Sequence, residues 1–313
     1  MTQIKQINPI TEELLSIVSG YEGKEFDGAY NIRQDTQCAG RKSTKNIKIT
    51  SRADGKSGLE VHVKPGTKGE TVYIPACVSH GNVNDIVYND FFIGEGADVT
   101  IVAGCGVHSE SDEEAVHHGI HKFILEKNSK ALYLEKHIGT GKGNGIHRID
   151  PITEAELKEN SFLKMDTIQL GGVDITERKT TAVVGKGAKL VVNERIMTDG
   201  DDVASTDFLV TLEGEDSGTD IVSRSVAKGN SKQEYSSRIV GKNKSMGHSA
   251  CDALISDNAV VIAKPALDAL SPDAELIHEA AIGKIAGEQI LKLRTLGLEQ
   301  DEAERAIING FLS

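Results

Sequence analysis

Of 313 residues, 35 are Lys or Arg and 47 are Asp or Glu, a net charge of −12 at neutral pH. That excess of acid argues against a nucleic-acid scaffold, which depends on clustered basic side chains to neutralise phosphates. Apolar runs such as Ala259 to Ala263 fall far short of the ~20 residues of a membrane-spanning helix, and Met1 to Val18 carries no signal-peptide core. The expectation is a soluble, cytoplasmic protein with neither nucleic acid nor membrane as partner.

The N-terminus predicts a helix. Asn8 is a cap, Pro9 suits the first turn, Leu14, Leu15, Ile17 and Val18 form an apolar stripe, and Gly20 ends it. From about Asn46 the period changes to two: Ile47 and Ile49, then Leu59, Val61 and Val63, then Val72 and Ile74. The middle of the chain repeats one form, a strand, a polar Gly-containing corner and a second strand. Phe91 to Val102 shows it, followed by Phe123 to Leu134, Ala182 to Val192, Leu209 to Ile221, Arg238 to Ser245 and Leu254 to Ile262. Most corners lie roughly 27–33 residues apart, the spacing of a solenoid. There are 32 Gly, six Tyr, seven Phe and no Trp, so stacked coils of Val, Ile and Leu must supply the core. An antiparallel sandwich is the competing architecture, and the long interval between corners favours the solenoid. Asp150 to Lys158 reads as a capped helical turn or inserted loop that interrupts one coil. Glu279 to Thr295 and Gln300 to Asn309 read as two amphipathic helices, with Gly310 in a helix-ending position. Such a pair either caps the solenoid or offers a face to another protein.

Phosphate-loop, His-Glu-x-x-His and Gly-x-Ser-x-Gly signatures are absent; Gly139 to Gly145 lacks phosphate-loop spacing and reads as a corner. Cys38, Cys77, Cys105 and Cys251 are isolated from one another. Reduced thiols are therefore expected, and a closed structural zinc site is not. His117, His118 and His121 cluster; if Val116 to Leu125 is a strand, His117 and His121 share a face and His118 takes the other. His137 is a further candidate, although a single His is by default a hydrogen-bonded structural residue.

The most specific pattern is Cys251-Asp-Ala-Leu-Ile255, followed about one coil later by His278-Glu-Ala-Ala-Ile-Gly-Lys-Ile285 and then by Gly297-Leu to Asn309-Gly-Phe311. These stretches resemble the SufB/SufD family of iron–sulfur cluster assembly proteins. The likeness is strong from Ser237 to Phe311, moderate from Phe91 to Gly139 and faint before that; Gly104-Cys105 and His117 also match. The chain departs from typical SufB proteins in its shorter length. It also lacks their N-terminal multi-cysteine motif, and Lys136-His-Ile-Gly139 stands where many carry Gln-Asn-Trp.

The resemblance implies a mainly β protein: a right-handed parallel β-helix over residues 46–278, an N-terminal helical region over 1–45 and a C-terminal helical pair over 279–313. It implies docking of a SufC-type ATPase on those helices and pairing with a like or related subunit. It also implies a transient, labile iron–sulfur cluster passed to apo acceptor proteins, with catalysis left to the ATPase. The ligands it points to are Cys251 with Glu279, His278 in reserve and Cys105 as a further thiolate. Clusters favour thiolates, usually four. One Cys with one carboxylate or imidazole is too small a set, and two chains meeting would supply enough. His278 and Glu279 are adjacent, so in a regular strand only one faces the side of Cys251. The competing functions are a SufD-like structural partner without its own cluster, and a β-helix carbohydrate-active protein, against which the missing Trp and signal peptide count.

Overall fold

The computed structural model describes residues 7–285 and 287–313. It begins with α1 (Pro9–Ser19), where the Asn8 side chain accepts a hydrogen bond from the Thr11 N–H at 2.7 Å and Gly20 closes the helix at φ 67°. Six short strands follow: β1 (Ala29–Gln34), β2 (Gln37–Lys42), β3 (Ile47–Ser51), β4 (Gly58–Val63), β5 (Lys68–Tyr73) and β6 (Ala76–Val78). The longer strands are β7 (Val83–Ile93), β8 (Asp98–His108), β9 (Ala115–Leu125), β10 (Lys130–Thr140), β11 (His147–Leu157), β12 (Phe162–Gln169) and β13 (Ile175–Val184). They continue as β14 (Lys189–Thr198), β15 (Val203–Leu212), β16 (Ser217–Ala227), β17 (Lys232–Gly241), β18 (Ser245–Ile255), β19 (Val260–Ala269) and β20 (Ala274–Lys284). Two helices close the chain, α2 (Gly287–Thr295) and α3 (Gln300–Leu312).

From β7 onward, successive strands alternate between two sheets, and every neighbour within a sheet is parallel. The result is a β-solenoid of about eight turns. One sheet has 11 strands and ends at β20, the other has nine and ends at β19. Among the described residues, only the β1–β2 and β3–β4 pairs are antiparallel. The repeated corner has a simple cause. Gly96, Asn128, Asn160, Gly187 and Asp216 occupy equivalent left-handed positions, a conformation open to Gly, Asn and Asp. Each donates its N–H to a carbonyl of the next coil, at 2.8–3.0 Å. Between corners alternate side chains point inward, and layers of Val, Ile and Leu fill the interior. The few rings concentrate near the N-terminal end, where Phe91 stacks on Phe123 with centroids 4.7 Å apart.

Several elements differ from the sequence expectation. Asp150 to Lys158 is neither helical turn nor inserted loop. Most of it belongs to β11, whose Thr153, Ala155 and Leu157 point inward. The Asp-Pro-x-x-Glu pattern that imitates a helix cap overlies a period of two. Residues 279–284 are strand, not helix, because they pair in register with Ala250 to Ile255. Gly310 lies within α3 instead of ending it. The solenoid sheets extend beyond residues 46 and 278, since β1 joins at Ala29 and β20 runs to Lys284. No helix among the described residues is long and apolar enough to cross a membrane.

The helix α1 lies on the outer face of the larger sheet, against β8 and β10. A Cβ on Gly104 would meet the Val18 carbonyl oxygen at 2.4 Å, and one on Gly106 would meet Leu14 at 3.0 Å. The glycines around Cys105 therefore serve helix docking while the cysteine itself points inward. Gly104→Val is expected to expel α1 and cost about 1–3 kcal/mol. Hydrogen exchange should report it as lost protection over Pro9–Ser19, with the later coils unchanged.

Candidate functional site

The strand β18 carries Ser249, Cys251 and Ala253 inward and His248, Ala250 and Asp252 outward, as its alternating burial shows. Cys251 aligns with Ser223 on β16 and Ala280 on β20. It is 1% exposed and belongs to the apolar core with Tyr235 and Ile239. Burial, reinforced by the nearby Glu194 and Asp252 carboxylates, pushes its thiol up to about 11. Cys251 is thus a protonated thiol, which would have to lose its proton before ligating any metal.

His278 aligns with Ser249 and Glu279 with Ala250. The register therefore puts His278 on the Cys251 face and Glu279 on the opposite face, reversing the order the resemblance suggested. Glu279 is exposed, 3.8 Å from His248 Nε2, and His248 Nδ1 pairs with Asp220 at 2.8 Å. Neither ring nitrogen of His278 makes a geometrically sound hydrogen bond, although the Ser249 backbone lies near enough to favour the charged ring. Burial outweighs this and, with repulsion from His248, lowers the His278 pKa. A neutral imidazole is the form that ligates metal.

This pair sits beside an open end. Among the described residues, nothing follows β19 and β20 in their sheets. Ala280 is exposed, and so are Leu267 and Ile282, although the residues they align with in earlier coils are buried. The C-terminal helices do not cap this end. Ile308 and Leu312 of α3 pack on Val226 on the outer face of the larger sheet, where Lys228 and Glu304 form an ion pair at 2.8 Å. Among the described residues, no three His, Cys, Asp or Glu side chains converge on a point that would hold a metal ion.

Cys105 does not join Cys251. It lies inward on β8, 4% exposed, against Ala76, Val107 and Ile149. Five inter-strand steps separate β8 from β18, roughly 24 Å at the usual spacing. All four cysteines are free. His117 and His121 do share the inner face of β9, while His118 points outward to Asp150 at 3.1 Å. His137 is buried beside Glu135.

Between the two cysteines runs a buried polar chain that the sequence did not reveal. Glu135, Thr167, Glu194, Ser223 and Cys251 are aligned on consecutive strands of the larger sheet. Arg178 reaches across from the other sheet, 2.7 Å from Glu135 and 3.2 Å from Glu194. Ser223 donates to Glu194 at 2.7 Å, as does Thr206 at 3.0 Å. Burial works against the Glu135 charge, but His137 and Arg178 prevail and hold it well below the ordinary carboxyl range. The available signal was a charged residue at an inward position, masked because Leu132 and Leu134 on the outer face are apolar too.

Residues 82–311 match the family described as "SUF system FeS cluster assembly, SufBD core domain". An iron–sulfur cluster assembly SufBD family protein of Archaeoglobus fulgidus is 32% identical over 82% of this chain and 68% of its own length. A Methanothermobacter thermautotrophicus relative with the same description is 29% identical over 82% of the chain and 62% of its own length. One from Methanocaldococcus jannaschii is 26% identical, covering 83% of the chain and 82% of itself. With the family matched across most of the solenoid and both C-terminal helices, the chain belongs to the SufBD family of iron–sulfur cluster assembly proteins.

Proposed function

We propose that this chain is a cytoplasmic scaffold on which a labile iron–sulfur cluster is built and then handed to apo acceptor proteins, without turnover of its own. The observation that carries the reading is the uncapped last coil next to Cys251 and His278. One chain presents a single thiol there, and the exposed edges of β19 and β20 suit pairing with a second SufBD-type chain. Two such ends would bring two thiols and two imidazoles together, with Glu279 as an oxygen donor at each rim. Mixed thiolate, imidazole and carboxylate ligation would be more exchangeable than four thiolates, as a transferable cargo requires. Because Cys251 is covered in the single chain, the pair must open before iron enters. A SufC-type ATPase on α2 and α3 is the proposed source of that movement.

Anaerobic addition of iron and sulfide, followed by native mass measurement, tests the reading. The expected product is one cluster per pair of chains. A cluster on a lone chain would overturn it. A preparation that binds cluster only beside a different SufBD chain would instead favour a SufD-like partner role, a reading supported by the burial of Cys251.

Docking should depend on exposed apolar residues of α2 and of the turn that follows it. Leu291 and Leu296 are 60% and 79% exposed, whereas Phe311 is partly buried against α3's own contacts with the sheet. Leu291→Glu with Leu296→Glu is expected to abolish co-purification of a SufC-type ATPase without lowering thermal stability. Phe311→Glu is expected to lower stability as well.

A further inference from the structure

The interior near the N-terminal end holds a second group of donors that the Cys251 site does not use. His117 and His121 are 2% and 3% exposed. A Cβ on the intervening Gly119 would lie 3.5 Å from His117 Nε2 and 3.1 Å from His121 Nε2. Both nitrogens therefore border one hollow, which exists because residue 119 has no side chain.

The hydrogen bonds fix which ring nitrogen of each histidine faces the hollow. Asp85 is gripped by Arg33 at 2.8–3.0 Å. Burial would raise its carboxyl, yet Arg33 and His117 hold it far below the ordinary range. The ionised carboxylate accepts from His117 Nδ1 at 3.1 Å, leaving Nε2 bare of any hydrogen-bond partner. Tyr133 gives its only proton to Glu135 at 2.7 Å, so its oxygen accepts from His121 Nδ1 at 2.9 Å. His121 Nε2 is then also bare. Two ring nitrogens thus border one buried hollow, and at least His117 Nε2 has its hydrogen-bonding capacity unmet there. On β7, Asn89 aligns with His121, and its side-chain oxygen is unpaired as well. Asn89 and Val87 also line a small cavity of about 30 Å³ beside Arg33, one coil nearer the N-terminus.

We propose that the hollow over Gly119 binds a single first-row transition-metal cation through His117 Nε2 and His121 Nε2, completed by Asn89 and water. Imidazole donors suit Fe²⁺, Co²⁺ and Zn²⁺. Ligating histidines characteristically give their other N–H to a carboxylate or similar acceptor, as Asp85 and Tyr133 provide here. The site is separate from Cys251 and does not depend on that residue binding a cluster.

The test uses the full chain carrying Cys251→Ser, kept reduced and metal-free, and titrated with Co²⁺ and, anaerobically, with Fe²⁺. One ion per chain is expected, with ligand-field absorption and no thiolate charge-transfer band. Tyr133→Phe keeps the ring and frees the His121 tautomer, so affinity should fall about tenfold or more. His121→Ala and Gly119→Ala should abolish binding, and circular dichroism on each variant will show whether the fold survives. Absence of binding in the full chain would mean that only water occupies the hollow and would overturn the proposal. So would a thiolate band, or an affinity unchanged in Tyr133→Phe. Cluster assembly on the unmodified chain is a separate readout, so either result can fail without the other.

Discussion

Cys251→Ser is expected to abolish the visible charge-transfer absorption of the reconstituted protein while leaving its far-ultraviolet dichroism unchanged. The fold should tolerate the change because the hydroxyl is smaller than the thiol and Ser223, Ser237 and Ser249 already line this part of the interior. The cluster should not, because a serine hydroxyl is a poor substitute for thiolate on iron. His278→Ala should reduce cluster yield more than Glu279→Ala, since only His278 shares the face of Cys251; the opposite order would show that the last strand changes register on pairing. The pH dependence has a definite sign. A thiol raised to about 11 stays protonated across the neutral range, so iron must displace a proton, and cluster yield should increase as pH rises. Retention of the full absorption in Cys251→Ser would remove this residue from the site.

Arg178→Leu is expected to destabilise the solenoid by about 3–5 kcal/mol, because it strips the cation from two buried carboxylates. Glu135 and Glu194 would remain inside the coil with Tyr133, Thr206 and Ser223 hydroxyls but no formal positive charge from arginine. In the native protein, the depressed Glu135 pKa contributes stability that is complete above the ordinary glutamate value and lost as pH falls through the folded-state value. In the variant His137 stays beside Glu135, but with Arg178 gone less opposes burial, so the Glu135 pKa in the folded state lies higher than in the native protein. The difference between the two proteins is therefore fullest where Glu135 is ionised in both and shrinks as pH falls through the variant's higher value. The gap in urea midpoint between Arg178→Leu and the native protein should therefore narrow on moving from about pH 7 to about pH 5. Equal losses at both pH values would show that the cost comes from packing alone.

Much of the architecture was legible because a solenoid repeats its instructions. The corner pattern recurs, the inward positions alternate, and each coil needs the next to bury its face. Asp150 to Lys158 reads as a helical turn because a local Asp-Pro-x-x-Glu signal imitates a cap, and pairing on both sides overrides it. The start of the C-terminal helices was misplaced for a related reason: His278 to Lys284 has good helix formers, but the edge of β18 offers it a complete ladder of hydrogen bonds.

The sequence alone identified Cys251, His278 and Glu279 as neighbours, since the interval from cysteine to histidine is about one coil. It also determined that His117 and His121 share a face, because that follows from a strand period of two. Only the tertiary structure decided that His278 lies with Cys251 while Glu279 points away, because a register shift of one residue exchanges the two faces. Only it brought Arg178 between Glu135 and Glu194, and Asp85 and Tyr133 to the two histidines. Those contacts join different coils or opposite sheets, and spacing along the chain carries no information about which inward side chains meet across the interior.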